Sequence, residues 1–136
     1  MRDAHVLEYS VSFGDCDPAG IVFYPRTYAW FDRAFHDWLR NFGGHGKICQ
    51  TLGAVGIGLL EAKAQFRRPM RDGDRLRIAL SIEEWGRKTL RLGYEITVAG
   101  EVAAVGGELR GLFKPAGDAI VASEIEVLRQ LLGEDG

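Results

Sequence analysis

The 136-residue sequence is short of several things, and each shortage narrows the reading. Cysteine occurs twice, at Cys16 and Cys49, with no CxxC and no zinc-like spacing. That indicates neither a disulfide framework nor a metal site. No apolar run approaches the roughly 18 residues needed to cross a membrane. The start, Met1-Arg2-Asp3-Ala4-His5, is too polar for a secretory signal, so a cytoplasmic location is expected. An excess of charge of one sign is missing: 17 Lys and Arg stand against 19 Asp and Glu, a net value of −2, without the basic excess of proteins that track phosphate backbones. Nucleic acid is therefore not the expected partner. Internal repeats, linkers and low-complexity stretches are missing, and the length suits one domain, taken as residues 1–136.

Glycine is plentiful, with 18 residues, and punctuates a clear pattern. Leu7, Tyr9, Val11 and Phe13 alternate with polar residues, which predicts a half-buried strand. An acidic loop from Gly14 to Gly20 breaks it. Pro25 suits the first turn of a helix. Tyr28, Phe31, Phe35, Trp38, Leu39 and Phe42 then recur at helical spacing, until Gly43-Gly44 stops the run. The stretch from His45 to Gly58 reads as a loop, with a helical turn near Ile48–Leu52. Alternation returns from Ile57 to Pro69, from Leu76 to Ile82, from Leu90 to Val98 and from Val102 to Lys114. Asp72-Gly73, Trp85-Gly86-Arg87-Lys88 and Ala99-Gly100 supply the turns. Gly106-Gly107 marks either a bulge or a close backbone approach. Ser123-Glu124-Ile125-Glu126 reads as a capping box opening a short C-terminal helix. Short connections imply an antiparallel sheet, and one very apolar helix demands cover. The expected fold is α+β: a curved antiparallel sheet of about five strands wrapped around one long helix.

The chemistry-bearing residues gather ahead of that helix. Asp17 precedes Pro18, so it is either a turn former or a reactive carboxylate, nucleophile or general base. Asp15, two residues away, reads as structural, and Cys16 as a packed thiol. No Ser, Thr, Asp or Asn stands between Phe23 and Arg26 to cap the helix. Its first N–H groups are thus candidates to stabilise an oxygen gaining negative charge, with water as the alternative partner. Gly20 would let backbone approach a substrate closely. Two basic groups, Arg87-Lys88 and Arg67, Arg68, Arg71, Arg75, are candidate anion clamps or solvated faces, the first favoured. Phe23, Tyr24, Tyr28 and Trp30 form either an aryl pocket or core.

The run Phe13-Gly14-Asp15-Cys16-Asp17-Pro18-Ala19-Gly20-Ile21-Val22, the order of elements and the later Phe66-Arg67-Arg68-Pro69 with Asp72-Gly73-Asp74 resemble the 4-hydroxybenzoyl-CoA thioesterase family of hotdog-fold enzymes. The resemblance spans roughly residues 7 to 115. It implies hydrolysis of an acyl-CoA, narrowed towards aryl-CoA, to the carboxylic acid and free coenzyme A. It implies Asp17 as the attacking or water-activating group, the backbone N–H near Tyr24 as oxyanion site, and no metal or redox cofactor. Asp32 and Glu61 become candidate substrate contacts, Arg87 and Lys88 candidate partners of the coenzyme A phosphates, and His36 a packed or solvated residue. It also implies edge-to-edge pairing into a homodimer or homotetramer with sites between subunits. Competing readings are a short-chain aliphatic acyl-CoA thioesterase, a hotdog hydratase, which would normally want a His beside its carboxylate, and a non-catalytic acyl-CoA-binding module.

Overall fold

A computed structural model of the chain describes residues 3–133; Met1, Arg2 and residues 134–136 of the expected domain lie outside the described residues. In chain order the elements are β1 (Asp3–Ser10), α1 (Pro25–Leu39), α2 (His45–Leu52), β2 (Gly56–Phe66), β3 (Arg75–Trp85), β4 (Thr89–Val98), β5 (Glu101–Ala116), β6 (Ala119–Ser123) and α3 (Glu126–Leu131). All strand pairs are antiparallel, in the order β1-β3-β4-β5-β2, with β6 also on β5. Register shifts next to Leu60 and Glu83 place extra residues in β2 and β3, which bend those strands.

The concave face of the sheet takes up α1. Period-2 alternation points Leu76, Ile78 and Leu80 of β3 and Leu90, Leu92 and Ile96 of β4 inward, all within 1% of complete burial. From α1, Trp30, Phe31, Ala34, Phe35, Trp38 and Leu39 meet them. Phe31 stacks on Tyr94 of β4, with ring centroids 4.5 Å apart. Gly106 is the reason that stack fits: a Cβ there would meet the Lys63 carbonyl and lie 2.5 Å from the Phe31 ring. Neither strand pairing is shifted at Gly106-Gly107, so close approach, not a bulge, explains the pair. After Leu39 the helix tightens into a 3₁₀ turn, Arg40–Phe42, and ends on Gly43 at φ 100°.

Four expectations need correction. The first strand stops at Ser10, and Phe13 stands 73% exposed on a 3₁₀ turn. The stretch after Gly44 is a full helix, α2, which buries Ile48 and Cys49. The last strand continues to Ala116 and returns through Gly117-Asp118 as β6, a sixth strand. The Ser123–Glu126 capping box does not form: Ser123 pairs with Leu112, the Ile125 N–H donates to Arg87 O at 2.9 Å, and α3 begins at Glu126 without a side-chain cap.

Candidate active site

The acidic loop is held from below by Asp15. Its buried carboxylate accepts from the Tyr9 hydroxyl at 2.9 Å and from the Ser12 N–H at 3.0 Å, while the Ser12 hydroxyl accepts from Gly14 N–H at 3.2 Å. A capping box thus does occur in this chain, at the 3₁₀ turn Phe13–Asp15. The bond to Asp15 is the main cause of a raised Tyr9 pKa. The Phe23 N–H donates to Asp15 O at 2.9 Å, which ties both ends of the loop together. Asp15 is therefore the anchor, and Cys16 lies against Ser12 O at 3.8 Å.

Between the paired positions Cys16 and Val22 the chain makes one tight reversal. Gly20 N–H donates to Asp17 O and Asp17 N–H to Ile21 O, both at 2.9 Å. Gly20 sits at φ 84°, a conformation that side-chain-bearing residues adopt at a cost. Asp17 Oδ1 accepts the Ala19 N–H at 2.9 Å. Asp17 is the turn former the Asp-Pro pair suggested, and the turn fixes its carboxylate. Its second oxygen has no partner among the described residues, and the residue is only partly buried, so that oxygen is available for chemistry.

The helix start is open in a narrower sense than expected. Tyr24 is the N-cap, with helical dihedrals and no side-chain cap. Arg26 and Thr27 spend their N–H groups on Phe23 O and Tyr24 O, at 2.9 and 3.1 Å. Pro25 has no N–H to offer. The Tyr24 N–H alone has no acceptor among the described residues. Beside it lies a cleft of about 430 Å³ with apolar walls from Ile21, Val22, Phe66, Pro69 and Met70, reached also by Thr27, Arg67 and Arg68. Asp17 is not a wall residue; it stands on the loop that leads into the wall. Arg68 is paired with Glu101 at 2.6 Å, whereas Arg67 has no ion-pair partner among the described residues.

The remaining candidates lie elsewhere. Asp32, further along α1, receives Arg110 at 2.8 Å and faces His36 at 3.4 Å. Glu61 of β2 is exposed and 3.6 Å from Arg91. Arg87 is on the β3–β4 turn, 3.1 Å from Glu124, and Lys88 follows it. Strand register separates Arg87 and Lys88 from Asp17. Arg75 pairs with Ser10 beside the acidic loop, and Trp85, at the other end of β3, pairs with Leu90 next to Arg87-Lys88. Ten residues of strand between them span about 33 Å. One chain therefore brings Asp17, Gly20 and Tyr24 together at one end of the sheet and leaves Arg87 and Lys88 at the other. Of the aromatic candidates, Trp30 is core, packed 5.2 Å from Tyr9, while Phe23 and Tyr24 are 48% and 61% exposed.

Two features went unnoticed in the sequence. Glu108, buried on β5, accepts from the Tyr94 hydroxyl at 2.6 Å and from Arg110 Nε at 3.0 Å. Arg110 lies 4.2 Å above the Phe35 ring. Burial pulls its pKa down, but Glu108 and then Asp32 outweigh that and raise it. Following the inward parity of β5 from Ala104 to Leu112 would have found this pair. The other is Thr27, whose buried hydroxyl has no sequence signal at all.

Relatives fit this geometry. The chain is 29% identical to the 4-hydroxybenzoyl-CoA thioesterase of Pseudomonas sp. (strain CBS-3), over 92% of this chain and 94% of that one. The solved structure of that enzyme superposes with a TM-score of 0.83 at 26% identity, covering 93% of this chain and 96% of the other. A gentisyl-coenzyme A thioesterase structure gives a TM-score of 0.76 at 33% identity, covering 90% and 98%. A 1,4-dihydroxy-2-naphthoyl-CoA hydrolase of Trichodesmium erythraeum (strain IMS101) is 31% identical over 63% of this chain and 62% of its own length. With residues 19–105 matching the model of the thioesterase superfamily, the chain belongs to that superfamily, and the curved sheet around α1 is its hotdog fold.

Proposed function

We propose that this thioesterase hydrolyses an aryl-CoA thioester of the 4-hydroxybenzoyl-CoA kind to the carboxylic acid and free coenzyme A. The observation that carries the reading is the pairing of a fixed, half-open carboxylate at Asp17 with an unspent N–H at Tyr24, one short turn apart in the chain. The carboxylate attacks the thioester carbon or draws a proton from the water that does so. Negative charge gathers on the carbonyl oxygen, where the Tyr24 N–H receives it. The bond to sulfur then breaks, the thiolate leaves with a proton from solvent, and, where Asp17 itself attacked, water cleaves the acyl-Asp17 anhydride to release the acid and restore the carboxylate. Water is the only co-reactant, and no metal or redox cofactor is called for. The named relatives act on hydroxylated aryl-CoA thioesters, which supports the aryl assignment.

The site so read spans two copies of the chain. β2 is an edge strand carrying Leu59, Leu60 and Phe66, each about half exposed, and Phe23 and Tyr24 are exposed as well. A long edge of this kind favours pairing. An antiparallel β2–β2 pairing in a homodimer sets the Asp17 end of one copy beside the Arg87-Lys88 end of the next. Arg87 and Lys88 would then meet the coenzyme A phosphates. Arg87 is free to do so, since its pair with Glu124 is exposed on both sides and weak. Asp32 and Glu61 are the candidate contacts for the acyl group.

Release of coenzyme A thiol from a panel of 4-hydroxybenzoyl, other aryl and short aliphatic CoA thioesters tests the assignment. Aryl thioesters should show the highest kcat/KM; equal or greater turnover of short aliphatic ones would reject the aryl reading. In Asp17→Asn, kcat should fall about 10²–10⁴-fold with the fold retained. Near-normal turnover in that variant would remove Asp17 from the mechanism.

A further inference from the structure

We infer that the Thr27 hydroxyl is a second hydrogen-bond donor to the thioester oxygen, beside the Tyr24 N–H; the inference rests on the thioesterase reading of this same site. Thr27 is the third residue of α1 and is wholly buried. Among the described residues its Oγ1 is the one buried side-chain polar atom without a hydrogen-bond partner. The other buried polar side chains, Asp15, Glu108 and Arg110, are all bonded. A threonine within a helix can return its hydroxyl to a carbonyl three or four residues back. Those carbonyls here are Tyr24 O and Phe23 O, and they already accept from Thr27 and Arg26 N–H groups.

Thr27 lines the cleft whose apolar walls, Ile21, Val22, Phe66, Pro69 and Met70, offer no side-chain acceptor strong enough to satisfy it. A buried hydroxyl in that state costs stability, so a role with ligand is the natural account of its place. The same turn of helix carries the unspent Tyr24 N–H. Two donors of different kinds thus stand on the first turn of one helix, on residues that line the same apolar cleft. The helix start supplies the direction, and the orphaned hydroxyl is the independent sign of an acceptor oxygen. During attack on the thioester carbon a C–O bond forms and the carbonyl π electrons move to oxygen. The Thr27 O–H bond to that oxygen strengthens as the charge grows. It weakens again when the electrons return and coenzyme A thiolate is expelled, to be protonated by water.

The test compares Thr27→Val, which keeps the shape and loses the hydroxyl, with Thr27→Ser, which keeps the hydroxyl. In aryl-CoA hydrolysis Thr27→Val should lower kcat about 100-fold. KM should stay within about threefold of the parent, since the bond matters most in the transition state. Thr27→Ser should retain most of the turnover. The Thr27→Val melting temperature should match or exceed the parent value, because an unsatisfied group has been removed. A Thr27→Val enzyme with parental kcat, or with only KM raised, overturns the inference. So does a melting temperature lowered along with activity, which would mean that the hydroxyl serves the fold. If the parent hydrolyses no thioester in the panel, the thioesterase reading of the site fails and this inference with it. A working parent with an unimpaired Thr27→Val removes Thr27 alone.

Discussion

At the scale of single residues, the buried charges make the sharpest predictions. Arg110 and Glu108 are 3% and 2% exposed and bonded to each other, with Tyr94 and Asp32 completing the set. Removing one member leaves a charge stranded. Arg110→Met should therefore lose about 3–5 kcal/mol of stability, whereas a joint Arg110→Met, Glu108→Leu, Tyr94→Phe replacement should recover much of that loss. Urea unfolding of both proteins decides it; equal losses would mean that the network contributes through packing. Burial also holds His36 below its ordinary pKa, and the nearby Asp32 offsets only part of the shift. As pH falls through about 6.5, the unfolded chain takes up a proton on this ring before the folded one does. Stability is thus lost on acidification, and the loss levels off once folded His36 is protonated too. His36→Gln should narrow the fall in stability between about pH 7.5 and pH 5; an unchanged fall would exclude His36 as its source. The turn through Asp17 and Gly20 was legible in the sequence because turn chemistry is local. Glu108 and Arg110 were harder to see, because a charged pair two apart on a strand looks like a solvated face until the inward parity is counted. Thr27 was invisible, since only three-dimensional surroundings reveal a hydroxyl without a partner.

At the scale of elements, α1 and β2 to β5 followed from hydrophobic period and turn residues. The misses have local causes. Gly46 lowers helix propensity inside α2, so a helix that closes over the core read as a loop with only a helical turn near Ile48–Leu52. The last strand was expected to end at Lys114, but Pro115 continues it in the β5–β6 hairpin opposite Ile120, where the Gly117-Asp118 turn reverses the chain. With β6 in place Ser123 belongs to a ladder and cannot cap. Two glycine replacements of opposite sign test this account. Gly106→Ala drives a methyl into the Phe31 ring and the Lys63 carbonyl, and should cost about 1–3 kcal/mol or more. Gly46→Ala meets nothing within 4 Å and should stabilise by about 0.4–1 kcal/mol. Both are read from urea midpoints, and a tolerated Gly106→Ala would contradict the close packing of β5 on α1.

At the scale of the whole molecule, the long sheet sets the problem that assembly must solve. The strand register puts Asp17 and Tyr24 at one end and Arg87-Lys88 at the other, about 33 Å of strand apart. The proposed antiparallel pairing of two copies would bring the acidic loop of one chain beside the basic turn of the other, where a ligand with an acyl group at one end and phosphates at the other could reach both. The exposed apolar β2 edge supplies a surface for that. On the proposed β2–β2 pairing, a two-fold axis would relate two equivalent sites, each taking its acidic loop from one copy and its basic turn from the other. Mixing tests this directly. Asp17→Asn and Arg87→Ala, Lys88→Ala proteins should each be impaired alone. In a mixed dimer one site receives both defects and the other receives none. Co-refolding equal amounts should then restore about a quarter of the parental turnover, from half the dimers having one of two sites intact. Activity equal to the mean of the two impaired variants would place the whole site within one chain. A mixed sample that regains activity while light scattering reports only monomers would reject the pairing through β2.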